Sequence, residues 1–194
     1  DMDKAVDKIQ KSKSNRIMIL GDYDVDGTTS TAMLYQYFND IGFDILIYIP
    51  DRYKEGYGVS NKSIEYAETN NVSLIITVDC GIKALEQVDL ATSKNIEVII
   101  LDHHLPDQKM PNAYAIINPK QSECKYPFKD LCGCGIGYKL ITAYNTTFNN
   151  LTDVFQFLDF VALATISDMM PLVSENRLMV FYGLKLLNTT PRIG

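Results

Sequence analysis

The chain has 194 residues, 46% of them apolar and 22% charged, which suits one ordinary globular domain with a full core and leaves little room for two. It contains no apolar run long enough to span a membrane, and its N-terminal DMDKAVDKIQKSKSNR is a charged amphipathic stretch without the apolar centre of a secretory signal. A net charge of −6 argues against a nucleic-acid binder if charge is counted as a total, an exclusion that weakens once bound cations neutralise part of the acid.

Apolar runs predict strands at RIMILG (16–21), DILIYIP (44–50), SLIITVD (73–79), IEVIILD (96–102) and AYAIINP (113–119). Several are nearly continuous in Ile, Leu and Val, the pattern of strands covered on both faces. Between them TTSTAMLYQYFNDIG (28–42), SNKSIEYAETNN (60–71) and KALEQVDLATSKN (83–95) carry helical spacing and end in Gly or Asn. This alternation predicts an α/β fold: a five-stranded, mostly parallel sheet with helices on both faces, joined by right-handed crossovers. From about Gly133 the pattern is helical only, through CGIGYKLITAYNTTF (134–148), LTDVFQFLDFVALATISDMM (151–170) and SENRLMVFYGLKLLN (174–188). These segments are expected as an appended C-terminal helical layer of the same 1–194 domain, since no linker, low-complexity tract or repeat sets them apart. The sequence starts without Met and ends in the turn-like NTTPRIG, so a piece of a longer chain is expected. Cys80, Cys124, Cys132 and Cys134 lack the paired spacing of a structural zinc site and are expected as reduced thiols, which points to the cytoplasm.

The chemistry gathers at predicted strand ends. GDYDVDG (21–27) places Asp22, Asp24 and Asp26 directly after the first strand; Asp79 ends the third; Asp102, His103 and His104 end the fourth. In a parallel sheet these ends share one edge, where ligands bind. The chain has just 2 histidines, and they are adjacent within this set. Capping the following helix needs one carboxylate, a role open to Asp26 or Asp22, and Asp26-Gly27 is a common turn pair. The surplus like charges repel one another unless a cation lies between them. Oxygen ligands joined by imidazole suit Mg²⁺ or Mn²⁺, and the number of ligands points to a pair of ions with a bridging carboxylate. Neither a P-loop nor a GxGxxG follows the first strand. The later GCGIG (133–137) is open to two readings: a glycine-rich turn, with Gly135, whose N–H groups approach a phosphate, or a plain helix start.

Four motifs in order, DYDVDG, VDCGI, LDHHLP and LATISDMMPL, resemble the DHH phosphoesterase superfamily, whose triplet stands here as Asp102-His103-His104. IPDRYKEGYG (49–58), INPKQSECKYPFKDLCGCGIGYKL (117–140) and SDMMPLVSENRLMVFYGLKLLN (167–188) make the chain most similar to the RecJ-type single-strand-specific exonucleases of that superfamily. The resemblance implies a two-metal phosphodiesterase that degrades single-stranded DNA from the 5′ end to 5′-mononucleotides, in repair and recombination, with other repair proteins as further partners. It adds Asp168 to the ligands. By its motifs Asp22 and Asp24 bind one ion and Asp26 the other, Asp79 bridges, and His103 with Asp168 completes the second site. His104 faces the scissile phosphate, and Asp102 orients a histidine. The resemblance implies a second, DHHA1-type domain, and the chain is expected to be the catalytic DHH domain without it. Other members act on short oligonucleotides, cyclic dinucleotides or pyrophosphate, and a further alternative is a non-catalytic replication scaffold that has lost its metals. Arg52, Lys54, Lys120, Lys125, Lys129 and Lys139, interleaved with Tyr53, Tyr57 and Tyr126, are the expected contacts to the unpaired strand.

Overall fold

The computed structural model describes residues 1–192. Its sheet is built from β1 (Arg16–Leu20), β2 (Ile45–Tyr48), β3 (Val72–Val78), β4 (Glu97–Leu101) and β5 (Ala115–Ile117), in the order β2-β1-β3-β4-β5. All neighbouring strands are parallel. The near-continuous apolar runs have the expected cause. Ile17, Ile19, Leu74, Ile76, Ile99 and Leu101 point to one face and belong to one core cluster. Met18, Leu20, Ile75, Val98 and Ile100 point to the other face and belong to a second cluster. Each such fully buried side chain contributes about 2 kcal/mol of transfer free energy.

The second face is covered by α3 (Asn61–Thr69) and α4 (Leu85–Ser93), through Ile64, Ala67, Val88 and Ala91. The first is covered by α1 (Met2–Lys11), α2 (Val25–Asp40) and α5 (Gly133–Thr147). The charged N-terminal stretch is thus a full helix, which buries Ala5, Val6 and Ile9 and turns its lysines outward. After a 3₁₀ turn at Val154–Phe157, α6 (Leu158–Ser167) rests on α2 and α5, and α7 (Ser174–Thr189) packs on α6. The C-terminal helices are therefore less of an appendage than their pattern suggests, because α5 lies directly against the sheet.

Two boundaries shift for physical reasons. β2 is short and partly exposed, with Ile47 47% accessible, because it is an edge strand and has a neighbour on one side only. Helix α2 begins at Val25 inside the aspartate motif, not near Thr28, because Asp24 is its N-cap and accepts a hydrogen bond from the Gly27 N–H at 2.9 Å. Neither Asp22 nor Asp26 fills that position. The chain leaves β1 for β2 on one side and returns to β3 on the other. The strand order thus reverses at the carboxyl ends of β1 and β3, the place where a doubly wound sheet opens a crevice.

Candidate metal centre

Asp22 follows β1 and Asp79 follows β3, so both stand at the reversal point, and both are buried. Asp79 has a φ of +61°, in the left-handed region that Asp tolerates better than most residues. Its N–H donates to the Leu101 carbonyl at 2.9 Å, and its carbonyl accepts from the Tyr57 hydroxyl at 2.8 Å. Asp26 lies in the first turn of α2 and is also buried. Its carboxylate accepts from the N–H groups of Gly133 at 2.6 Å and Cys134 at 2.7 Å, at the start of α5. A helix N-terminus with free N–H groups is an anion site, and here the anion is the protein's own carboxylate. Gly133 permits that approach: a Cβ there would stand 2.7 Å from the Asp79 Cβ and 2.9 Å from its Cα.

His103 Nε2 faces three carboxylates, 3.1 Å from Asp79 Oδ1, 3.6 Å from Asp168 Oδ2 and 3.8 Å from Asp26 Oδ2. Asp168 reaches this point because it closes the C-terminus of α6 and faces back over the strand ends. Donor atoms within metal-sharing distance fall into overlapping groups: Asp22 with Asp24 and Asp79, Asp26 with His103 and Asp168, and Asp79 with His103 and His104. Asp22 Oδ1 is buried without a hydrogen-bond partner among the described residues, and Asp79 Oδ1 has none beyond its close approach to His103 Nε2. Buried carboxylate oxygens without a donor are costly unless a cation satisfies them, so this oxygen-rich set with one imidazole fits a hard divalent ion.

The electrostatics agree. Burial raises Asp26 to about 6, against the opposing hydrogen bonds from Cys134 and Gly133. Burial, followed by the charges of Asp26 and Asp24, raises Asp79 to about 11. Burial lowers His103 to about 4, which keeps its imidazole neutral and able to ligate. The adjacent His104 shifts upward, chiefly through its hydrogen bond to Asp102, with Nδ1 and Oδ1 2.8 Å apart. Burial alone would raise Asp102, but the His104 side chain and the N–H groups of His104 and Ile82 outweigh it and hold the carboxyl below its ordinary value. Asp102 therefore orients His104, and buried Asn118 holds the same residue by donating to its carbonyl at 2.8 Å.

A carboxyl raised above its ordinary 3.8 stabilises the fold fully only below that value, and the contribution is lost as pH rises toward the folded value. Above about pH 7, beyond the titration of Asp26 and His103, Asp79 sets the sign together with His104, which is also raised and acts in the same direction. Cation-free protein is expected to lose thermal stability from about pH 7 to about pH 8.5, and Mn²⁺ to flatten or reverse the trend because it favours the ionised carboxyl. Thermal melts across that range, with and without the ion, check this.

The expected strand contacts divide. Lys120 is half-buried in a cleft of about 830 Å³ that it shares with His103, His104 and Tyr57. Tyr57 turns its ring edge-on to His104, with centroids 5.7 Å apart. Arg52 is exposed, and its guanidinium lies 5.3 Å from the ring centre of Tyr23, inside the aspartate motif. Lys54 and Tyr53 are exposed on the same loop, with Lys54 3.9 Å from Asp51. Lys139 is instead paired with Glu175, which also accepts from the Tyr126 hydroxyl at 2.8 Å; Lys139, Tyr126 and Lys125 line a separate cavity beside β5. Lys129 donates to the Cys124 carbonyl. Gly135 corrects an expectation: it is buried, and its N–H is taken by the Cys132 sulfur at 3.3 Å, which caps α5. No N–H of Gly133, Cys134 or Gly135 is left for a phosphate. Sequence reasoning missed Gly133, Cys134 and Asn118 as supports of the site. The clustered glycines of GCGIG were the available signal for the first two.

A wholly parallel, doubly wound sheet with carboxylates and an imidazole converging at its reversal point defines an α/β protein with a candidate divalent-metal centre. The chain belongs to the DHH family: residues 16–165 match that family's N-terminal domain. It is 42% identical over 195 residues to the single-stranded-DNA-specific exonuclease RecJ of Bacillus subtilis (strain 168), a match covering 100% of this chain and 24% of that protein. Its fold matches a crystal structure of exonuclease RecJ bound to manganese with a TM-score of 0.89 at 30% identity, over 97% of this chain and 48% of that one. RecJ of Thermus thermophilus in complex with Mn²⁺ matches with a TM-score of 0.82 at 26% identity, over 97% and 27% of the two chains. The chain spans 24%, 31% and 34% of the length of three curated relatives, or about a quarter to a third. No helix among the described residues is long and apolar enough to cross a membrane.

Proposed function

We propose that this chain is the metal-bearing part of a 5′-to-3′ exonuclease that hydrolyses single-stranded DNA to 5′-mononucleotides, in DNA repair and recombination. The observation that carries this reading is the pair of ligand groups, Asp22–Asp24–Asp79 and Asp26–His103–Asp168, at one sheet edge, the first of them with buried, unpartnered carboxylate oxygens on Asp22 and Asp79. Asp22 and Asp24 would hold one Mn²⁺ or Mg²⁺, Asp26, His103 and Asp168 the other, and Asp79 would join the two. When bound, the ions supply an activated water at neutral pH and neutralise charge on the phosphodiester.

The chain's own residues do the rest. The α5 N-terminus fixes Asp26 in a single orientation. Asp102 engages His104 at Nδ1 and leaves Nε2 as the nitrogen available to the cleft, where a proton held on it offsets charge on the departing 3′ oxygen. Lys120 adds a cation on the same wall, and exposed Arg52, beside Tyr23 of the aspartate motif, with Lys54 and Tyr53 on the same loop, offers further basic and aromatic groups to the strand. The relatives named for this activity support the substrate class, and the unpaired thiols suit a reducing compartment, the cytoplasm.

Digestion of 5′- and 3′-labelled single strands in Mn²⁺ tests the reading. Early release of the 5′ label as a mononucleotide, suppressed steeply by added salt, is the expected result. Release from the 3′ end, or hydrolysis confined to short oligonucleotides or pyrophosphate, would overturn it.

A further inference from the structure

In the stretch Glu55-Gly56-Tyr57-Gly58 the tyrosine is flanked by glycines with φ of +82° and +78°. A Cβ at Gly56 would meet nothing within 4 Å, and one at Gly58 would meet only the Cys80 Cβ at 3.5 Å. Space is therefore available at both positions. What they require is the left-handed backbone, from which the hydroxyl of the half-exposed Tyr57 reaches the site.

The hydroxyl reaches a point that serves two parts of the site. It donates to the Asp79 carbonyl at 2.8 Å, beside the left-handed turn that carries the shared carboxylate. It also lies 3.2 Å from Nδ1 and 3.4 Å from Nε2 of His104, almost equally close to both nitrogens. Nδ1 is already engaged by Asp102 and the hydroxyl proton by Asp79, so toward His104 the phenol oxygen is an acceptor. A strand-stacking tyrosine would need its ring face open and its hydroxyl in water. Here the side chain is 53% exposed, but its hydroxyl is bound beside His104 and is not in water.

We propose that Tyr57 is a positioning residue whose hydroxyl links the backbone of Asp79 to the imidazole of His104, so that one side chain fixes the shared metal ligand and the histidine facing the phosphate together. The assignment rests on the hydrolytic reading above. Groups that orient ligands and catalytic side chains from behind cost roughly ten-fold or more in activity or metal affinity when removed.

Y57F retains the ring and removes only the hydroxyl. The expected result is a kcat lowered roughly ten-fold with KM for single-stranded DNA unchanged, and a weaker Mn²⁺ affinity by calorimetry. The chain has 2 histidines, so their imidazole resonances in the Mg²⁺-loaded protein are easily resolved, and those of His104 should shift in Y57F. Y57A should lose at least as much kcat. Wild-type kcat, Mn²⁺ affinity and His104 resonances in Y57F would overturn the proposal. So would a raised KM at unchanged kcat, which would make Tyr57 a strand contact. If the wild-type chain cleaves no single-stranded DNA, the hydrolytic reading fails instead, and the resonances and Mn²⁺ affinity still decide the role of Tyr57.

Discussion

Asp79→Asn is expected to remove metal binding and hydrolysis in one step while the fold persists. Asparagine occupies the left-handed region about as readily as aspartate, so the φ of +61° is retained, as are the hydrogen bonds to Leu101 and Tyr57 through the backbone. What is lost is the charge on the residue that belongs to two of the donor groups. Hydrolysis should fall by roughly a thousand-fold or more, the scale of several kcal/mol of lost transition-state stabilisation. The cation-free variant should melt no lower than wild type, because it no longer carries a buried carboxyl crowded by Asp26 and Asp24. The stabilisation that Mn²⁺ confers on wild type should disappear. Melting curves with and without Mn²⁺, beside a single-strand digestion, check all of this. An active variant that Mn²⁺ still stabilises would remove Asp79 from the centre of the account.

Gly133→Ala should disable the site without replacing any charged or ligating group. The added methyl would collide with the Cβ and Cα of Asp79, backbone included, so either α5 or the end of β3 must move. Overpacking of this kind costs about 1 to 3 kcal/mol. Any retreat of α5 also takes the Gly133 and Cys134 N–H groups away from Asp26. Mn²⁺ affinity and thermal stability should therefore fall together. Gly135→Ala is the control: its Cβ would lie 3.4 Å from the Leu131 side chain, close to ordinary contact, and it should retain metal binding and most of its stability. Calorimetric titration of the two variants separates these outcomes. Equal losses at both positions would show that only general helix damage is being measured.

Much of this arrangement was legible in the residues because it depends on chain order. Strands buried on both faces announce themselves by unbroken runs of Ile, Leu and Val, and a parallel sheet then delivers Asp22, Asp79 and His103 to one edge whatever the details of packing. Asp168 was legible only through family resemblance, because a carboxylate at the end of α6 carries no local mark of the edge it faces. Features that depend on three-dimensional contact stayed hidden. GCGIG looked equally like a phosphate cradle and a helix start. Its N–H groups hold a carboxylate distant in sequence, and no spacing rule records that pairing. Tyr57 looked like one more aromatic among basic residues, since the sign of φ at Gly56 and Gly58 decides where it points. Lys139 resembled a strand contact until Glu175, on another helix, proved to be its partner.

The central claim is that the sheet edge holds a pair of divalent ions through groups that meet at Asp79. Calorimetric titration of the chain with Mn²⁺, run beside digestion of a labelled single strand, tests it most directly. The account predicts a pair of bound ions per chain, with hydrolysis appearing only as the second site fills. Saturation with a single ion, or full hydrolysis at that point, would contradict it.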